Sequence, residues 1–447
     1  MLKSTLLAAA LAATLPVPAL ADADSAIAAL RGEFEQKLKD LQASYEARLQ
    51  ELEARLAKTR ETVDAAQAPA DQSEHAPANG NAFNPEISLI LQGGYANRKA
   101  GTRSPTGYLQ EATITPPTRG FSLNDTELVL AANIDPYFRG STNLVLHDDQ
   151  ATIEEAWFQS LSLDHGFTLK GGRYLSGIGY QNEQHPHAWD FVDNNLMYQT
   201  LFGEHLVQDG LQLKWLAPSD TFVELGAEAG NGATFPGSTV DRNGAGDWAA
   251  YVHVGDDLGV SQSWRAGLSY LSARPVDRPS LLSNTAGIAA NTLFSGSSKT
   301  WIADFVWKWA PDGNPRDRNF KFQSEFFQRD ERGDLTYSPT GNTGGYHGKQ
   351  SGGYAQGVWQ FMPSWRTGLR YDRLGRGSLD YGSNDAALLP AAYSPTKWGW
   401  MVDFSPSEFS QFRLQRARNH AMLGNPDDNQ LSLQYIYSLG PHGAHNF

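Results

Sequence analysis

Late in the chain Leu431, Leu433, Tyr435, Tyr437 and Leu439 alternate with Ser432, Gln434, Ile436 and Ser438. A strand turns successive side chains to opposite faces. Mostly apolar residues at every second position, with mostly small or polar ones between, therefore ask for hydrocarbon on one face and water on the other. The pattern recurs many times upstream, whereas no apolar run after the N-terminus reaches the ~20 residues a membrane helix needs. A closed transmembrane β-barrel satisfies this better than a soluble sandwich, because every strand finds a hydrogen-bonded neighbour and no edge meets lipid. With 0 cysteines, stability must come from that architecture rather than from disulfides.

Three segments precede the strands. Lys3, the apolar run Leu6–Leu15 and the small-residue site Ala19-Leu20-Ala21 predict a secretory signal over residues 1–21. Residues 22–64 are rich in Ala, Glu, Leu, Lys and Arg. Phe34 and Tyr45, Leu38 and Leu49, Leu41 and Leu52, and Tyr45 and Leu56 all stand eleven apart. An eleven-residue repeat favours a straight or slightly right-handed coiled coil, and the polar face carries both signs rather than the basic excess of a membrane-surface helix. This predicts a self-associating periplasmic helix, matched to a trimer; roughly 40 residues would make a rod of ~60 Å. Residues 65–84, with Pro69, Pro77 and Gly80, read as a linker.

Over residues 85–447 strand candidates begin near Ile87, Phe121, Tyr137, Ala151, Phe167, Gly210, Thr221 and Gly246. Others follow near Gln262, Lys299, Phe320, Ser351, Arg366, Lys397, Gln411 and Gln430, making sixteen in all. An even number suits a single-chain bacterial barrel. Short turns at Asp135-Pro136, Pro218-Ser219-Asp220, Pro363-Ser364 and Pro406-Ser407 mark one rim. Longer loops at Lys99–Gly120, Pro275–Ser298 and Arg376–Thr396 mark the other. Short periplasmic turns and long outer loops are the expected asymmetry. Trp301, Phe305, Trp307, Phe320, Phe322, Phe326, Trp398, Trp400 and Phe404 should face lipid. Thr300, Asp304, Lys308, Lys321, Gln323, Glu325, Arg329, Lys397 and Asp403 should face the lumen. So many inward charges predict a hydrated channel rather than a dry interior, given the cost of burying them.

The segment Ser176 to Gln208 stands apart. It carries Glu183, Asp190, Asp193 and Glu204 and no Lys or Arg, together with Trp189, Phe191, Leu196 and Phe202, too many apolar residues for a loop in solvent. It should fold inward as an acidic constriction favouring cations, with Arg366, Arg370 and Arg413 opposite making the field transverse. Its histidines His185, His187 and His205 suit a transition metal chemically, but the favoured reading is that they are polar loop residues hydrogen-bonded to the barrel wall. His442 and His445 in the tail read as a solvated pair. The net charge of -13 argues against nucleic acid as a partner. No local signature groups Ser, His and Asp as a catalytic set, and no cofactor is implied.

The run KGGRYLSGIGYQNEQ entering that loop, with DGLQLKW leaving it, resembles the phosphate-selective porin O/P group of trimeric porins. NAFNPEISLIL at Asn81 to Leu91, NEQHPHAWDFVD at Asn182 to Asp193 and SLGPHGAH at Ser438 to His445 are similar to a group of proteobacterial outer-membrane proteins often described as TonB-dependent or zinc-regulated receptors. The chain departs from both. It is too short for 22 strands with a plug, and its candidate constriction lacks the clustered Lys and Arg that phosphate selection needs.

These readings converge on a porin-like channel in outer-membrane lipid, passing small solutes by passive diffusion with a bias to cations, the helix lying in the periplasm. Two alternatives stand beside it: a ligand-specific uptake receptor for metal ions or chelates, and an envelope tether whose helix binds peptidoglycan or another periplasmic partner.

Overall fold

The computed structural model describes Lys39 and residues 85–99, 108–111, 118–147, 150–238, 241, 243–286, 288–388, 394–421 and 427–440. The signal over residues 1–21, the coiled coil over 22–64 (Lys39, helical, excepted), the linker over 65–84, and His442 and His445 lie outside the described residues.

The strands form in chain order as β1 (Glu86–Asn97), β2 (Thr126–Asn133), β3 (Phe138–His147), β4 (Gln150–Ser160), β5 (Phe167–Leu175) and β6 (Val207–Leu216). Next come β7 (Phe222–Gly230), β8 (Asp247–Asp257), β9 (Gln262–Ala273), β10 (Ala289–Trp309) and β11 (Asn319–Tyr337). The last are β12 (Asn342–Met362), β13 (Trp365–Leu374), β14 (Thr396–Ser407), β15 (Ser410–His420) and β16 (Asp428–Leu439). Each pairs antiparallel with its neighbours in sequence. β1 pairs with β16, Leu89 opposite Leu439 and Asn97 opposite Leu431, and this closes a barrel of sixteen strands.

Two expected boundaries move. β10 and β12 each run 21 residues, about twice the ~9–11 that cross a bilayer, and so stand proud of the membrane at the long-loop rim. Pro275–Ser298, expected as loop, is mostly strand: Arg278–Ser283 folds back on Ala289–Phe294. The first loop reaches it too, Gln110 and Glu111 pairing with Leu281 and Ser280. Leu109, Leu282, Phe294, Leu335, Tyr346 and Tyr381 bury one another there, which gives this rim a small core of its own.

The outward face follows period two. Trp301, Phe305, Phe326, Trp398 and Trp400 are exposed, while Ile302, Asp304, Lys397 and Met401 between them are buried. Trp307 against Phe320 at 5.8 Å and Trp365 against Phe404 at 4.7 Å add paired aromatics near the short-turn rim, the girdle expected where strands leave hydrocarbon. Leu369, 62% exposed at the middle of β13, marks the lipid face next to inward Arg370. Replacing it with Arg should cost about 2–4 kcal/mol. Reversible unfolding from lipid vesicles measures this, and an unchanged midpoint would mean the face is not in hydrocarbon.

The interior is drier than the expected hydrated channel. Ile178, Met197, Tyr198, Phe202, Tyr251 and Phe327 belong to one buried apolar cluster inside the barrel, and the inward charges Asp403, Arg413, Glu325 and Lys397 are at most 2% exposed. Their burial is tolerable because they are paired and hydrogen-bonded, as the next contacts show.

Candidate functional site

The chain turns inward where β5 ends. Ser176 Oγ donates to Glu228 Oε2 at 2.5 Å and the Gly177 amide to Glu228 Oε1 at 2.8 Å. A Cβ at Gly177 would come within 2.4 Å of the Tyr251 hydroxyl, and Gly179 sits at φ +65°, so both positions need glycine. Asn182 closes the neck, donating to the Ser176 and Leu206 carbonyls and accepting from the Leu206 amide. One short helix, α1 (Leu196–Leu201), follows; the Asn195 side chain caps it by accepting from the Met197 and Tyr198 amides. Tyr198 packs edge-on to Phe327 at 5.2 Å and donates to Glu325 Oε2 at 2.9 Å. The loop thus anchors through an apolar face on one side of the lumen.

Its acids meet bases from the wall. Asp190 lies 2.6 Å from Lys321 Nζ and 3.3 Å from Arg366 Nη1, and accepts from Gln356 at 3.0 Å. Burial alone would raise its pKa; Lys321 and Arg366 outweigh that and hold the carboxyl below the usual carboxylate range. Asp193 contacts Arg370 Nη2 at 3.1 Å, Lys397 and Gln415, and Arg370 also stacks on Phe191 at 4.7 Å. Glu183 pairs with Lys214 at 3.0 Å. Arg413 pairs instead with Asp403 at 2.8 Å, which Arg366 reaches at 2.6 Å. Glu204 sits at φ +103°, a backbone strain of the kind that persists only where surroundings enforce it. Glu183, Asp190 and Asp193 therefore face bases, and the field beside them is locally balanced.

The histidines separate. His205 Nε2 lies 3.0 Å from the Gln184 carbonyl, its ring 5.3 Å from Trp189, and burial lowers its pKa. His185 and His187 stack at 5.7 Å and meet groups that the sequence reading did not single out. His185 Nδ1 is 3.0 Å from Glu154 and its Nε2 3.1 Å from Glu155; His187 Nδ1 is 2.8 Å from Glu127. Burial alone would lower the His185 pKa, but the two carboxylates outweigh it and hold the imidazole well above its usual range. The signal for these acids was the doublet Glu154-Glu155 in a strand of period two. Asn143 pairs with Glu155 and Leu144 with Ile153, so Glu154 is a β-bulge. The bulge lets adjacent side chains serve the same face.

This segment also partitions the lumen. A cavity of about 660 Å³ is lined by Pro186, Trp189, Asp193 and Glu204 against Gln92, Asn124, Gln415 and Gln434. His185 and His187, on either side of Pro186, line another of about 240 Å³ with Glu127, Asn143 and Glu155.

No family model matches the chain. A protein of Aquifex aeolicus (strain VF5), described only as uncharacterized, is 30% identical over 403 residues, spanning 83% of this chain and 81% of its own. Among solved structures, the outer membrane channel DcaP of Acinetobacter baumannii superposes with a TM-score of 0.51 at 11% identity, over 82% of this chain and all of that one. The loop L8 deletion mutant of OmpT, an outer membrane protein of Vibrio cholerae, gives 0.50 at 9% identity, over 80% and 99%. At such identities these likenesses establish a shared barrel fold.

Proposed function

We propose that this chain, which belongs to the same protein family as its Aquifex aeolicus relative, is a porin-like channel of the cell outer membrane that passes small solutes by passive diffusion. The observation that carries this reading is the loop after β5. It spans a sixteen-strand barrel, leaves cavities on either side of residues 185–193, and is held by side chains of many strands. That is the construction of a constriction. DcaP, of the same fold, is described as a channel. A phosphate preference does not follow, since Arg366, Arg370, Lys321 and Lys397 are matched by Asp190, Asp193 and Asp403.

A modest cation bias follows from the balance. Among the described residues, the hydrogen-bonded side-chain partners of Glu127, Glu154 and Glu155 are His185, His187 and the neutral Asn143 and Gln92. Neutralising Glu183, Asp190, Asp193 and Glu204 to their amides would uncover Lys214, Lys321, Arg366, Arg370 and Lys397. The cation-to-anion permeability ratio, read from reversal potentials, should then fall, and more at low salt where screening is weak. A ratio that does not move would remove these acids from selectivity.

The assembly we assign is a homotrimer, resting on the eleven-residue apolar repeat of residues 34–56, which buries a stripe only among partners. Deleting residues 22–64 should lower the temperature at which the detergent-extracted trimer dissociates, read by light scattering; an unchanged temperature would separate the helix from assembly.

A further inference from the structure

Inside the barrel, one ligand atom each from Glu127, Glu154 and His185 lies within 4.8 Å of the others. His185 Nδ1 is 3.0 Å from Glu154 Oε2 and 3.7 Å from Glu127 Oε2. Tetrahedral ligands at metal bonds of ~2.0–2.1 Å stand roughly 3.3 Å apart, so the spacing is already that of a coordination shell.

Each of these ligands is held from behind. Glu155 takes the other ring nitrogen of His185 at 3.1 Å, which turns Nδ1 toward the two carboxylates. His187 occupies Glu127 Oε1 at 2.8 Å and leaves Oε2 facing the cluster. A carboxylate behind a ligating imidazole is the usual outer support of a metal site. The bulge at Glu154 is what brings both glutamates of the doublet to one face.

Asn143 supplies an independent observation. It is 2% exposed, its Oδ1 has no hydrogen-bond partner, and its Nδ2 lies 2.8 Å from Glu154, 3.1 Å from Glu127 and 3.4 Å from His185 Nδ1. An amide nitrogen has two hydrogens and here faces three potential acceptors, while its oxygen is left unsatisfied. A cation among the acceptors resolves both: the amide turns over and Oδ1 becomes a ligand.

We propose that Glu127, Glu154, His185 and the Asn143 amide oxygen bind one first-row divalent cation. Mixed nitrogen and oxygen donors in a four-coordinate shell suit zinc or cobalt rather than calcium or magnesium. The site lies where His185-Pro186-His187 divides the two cavities, so the bound ion pins that segment to β2, β3 and β4 and narrows the passage. The binding stands by itself; its effect on conduction rests on the channel reading.

The test uses the purified full-length protein in detergent, stripped with chelator. Added Co²⁺ should give the intense visible bands of a tetrahedral site at one ion per chain, and Zn²⁺ should displace it. His185→Ala and Glu154→Gln should each weaken binding more than tenfold, Glu155→Gln about 10–100-fold, and His205→Ala should leave it unchanged. No stoichiometric cobalt spectrum in the unmodified protein overturns the proposal whether or not any variant folds, as does binding that survives His185→Ala. In planar bilayers Zn²⁺ should lower the conductance of the unmodified channel and not of His185→Ala. Conduction without metal binding defeats this proposal alone; metal binding without conduction defeats the channel reading alone.

Discussion

Asp403→Ala is expected to destabilise the barrel by about 3–5 kcal/mol. The carboxylate is fully buried on β14 and takes Arg413 Nε at 2.8 Å, Arg413 Nη2 at 3.1 Å, Arg366 Nη2 at 2.6 Å and Gln411 Nε2 at 2.6 Å. Its loss strands positive charge in a place from which water is excluded. Arg366 keeps Asp190 at 3.3 Å, but Arg413 keeps only the neutral Gln434 among its hydrogen-bonded side chains, at 3.2 Å. Removing one partner of such a network costs far more than the network's net worth, because the remaining charge cannot be solvated. Urea unfolding of the lipid-reconstituted protein, followed by tryptophan fluorescence, measures the change. A shift of the size of an exposed ion pair, below about 1 kcal/mol, would mean that water reaches the site.

Replacing residues 181–204 with a short Gly/Ser linker is expected to raise single-channel conductance several-fold while the barrel still forms. The ladder closes through β1 and β16 and owes no backbone pair to the loop. Removing the loop also removes α1 and the apolar cluster around Tyr198 and Phe202 from the lumen. Wall groups that lose partners, Glu325, Arg370 and Lys397, become hydrated rather than stranded. Barrels of about 16 strands are wide enough for an aqueous channel when nothing fills them. Conductance that stays at the level of the intact protein would mean that the loop is not the narrow point, and the selectivity argument would fall with it.

The barrel was legible because a membrane enforces alternation. Where strands cross hydrocarbon, as at Trp301 to Phe305 and Trp398 to Phe404, one face had to be apolar and the pattern is plain. The ends of β10 and β12 were missed because both faces meet water or other loops there, and runs such as Ser295-Gly296-Ser297-Ser298 and Gly344-Gly345 carry no period at all. The loop was legible from its anchors, since Trp189, Phe191, Leu196 and Phe202 had to be buried against something. Its ion pairs were not: Asp190 finds Arg366, and Asp193 finds Arg370, about half the barrel away in sequence. An acid without a local base reads as free charge until closure of the sheet brings a strand opposite. The Glu127, Glu154 and His185 cluster shows the same limit from the other side, since its residues meet only once β2, β3 and β4 have paired and the loop has folded back on them.

The measurement that bears most directly on the central claim is the single-channel current of the purified, unmodified protein in a planar bilayer under a salt gradient. Discrete, ohmic conductance steps are expected, with a reversal potential whose sign reports a modest preference for cations. A protein that inserts but gives no steps at any applied voltage, or one that prefers anions, would contradict the claim.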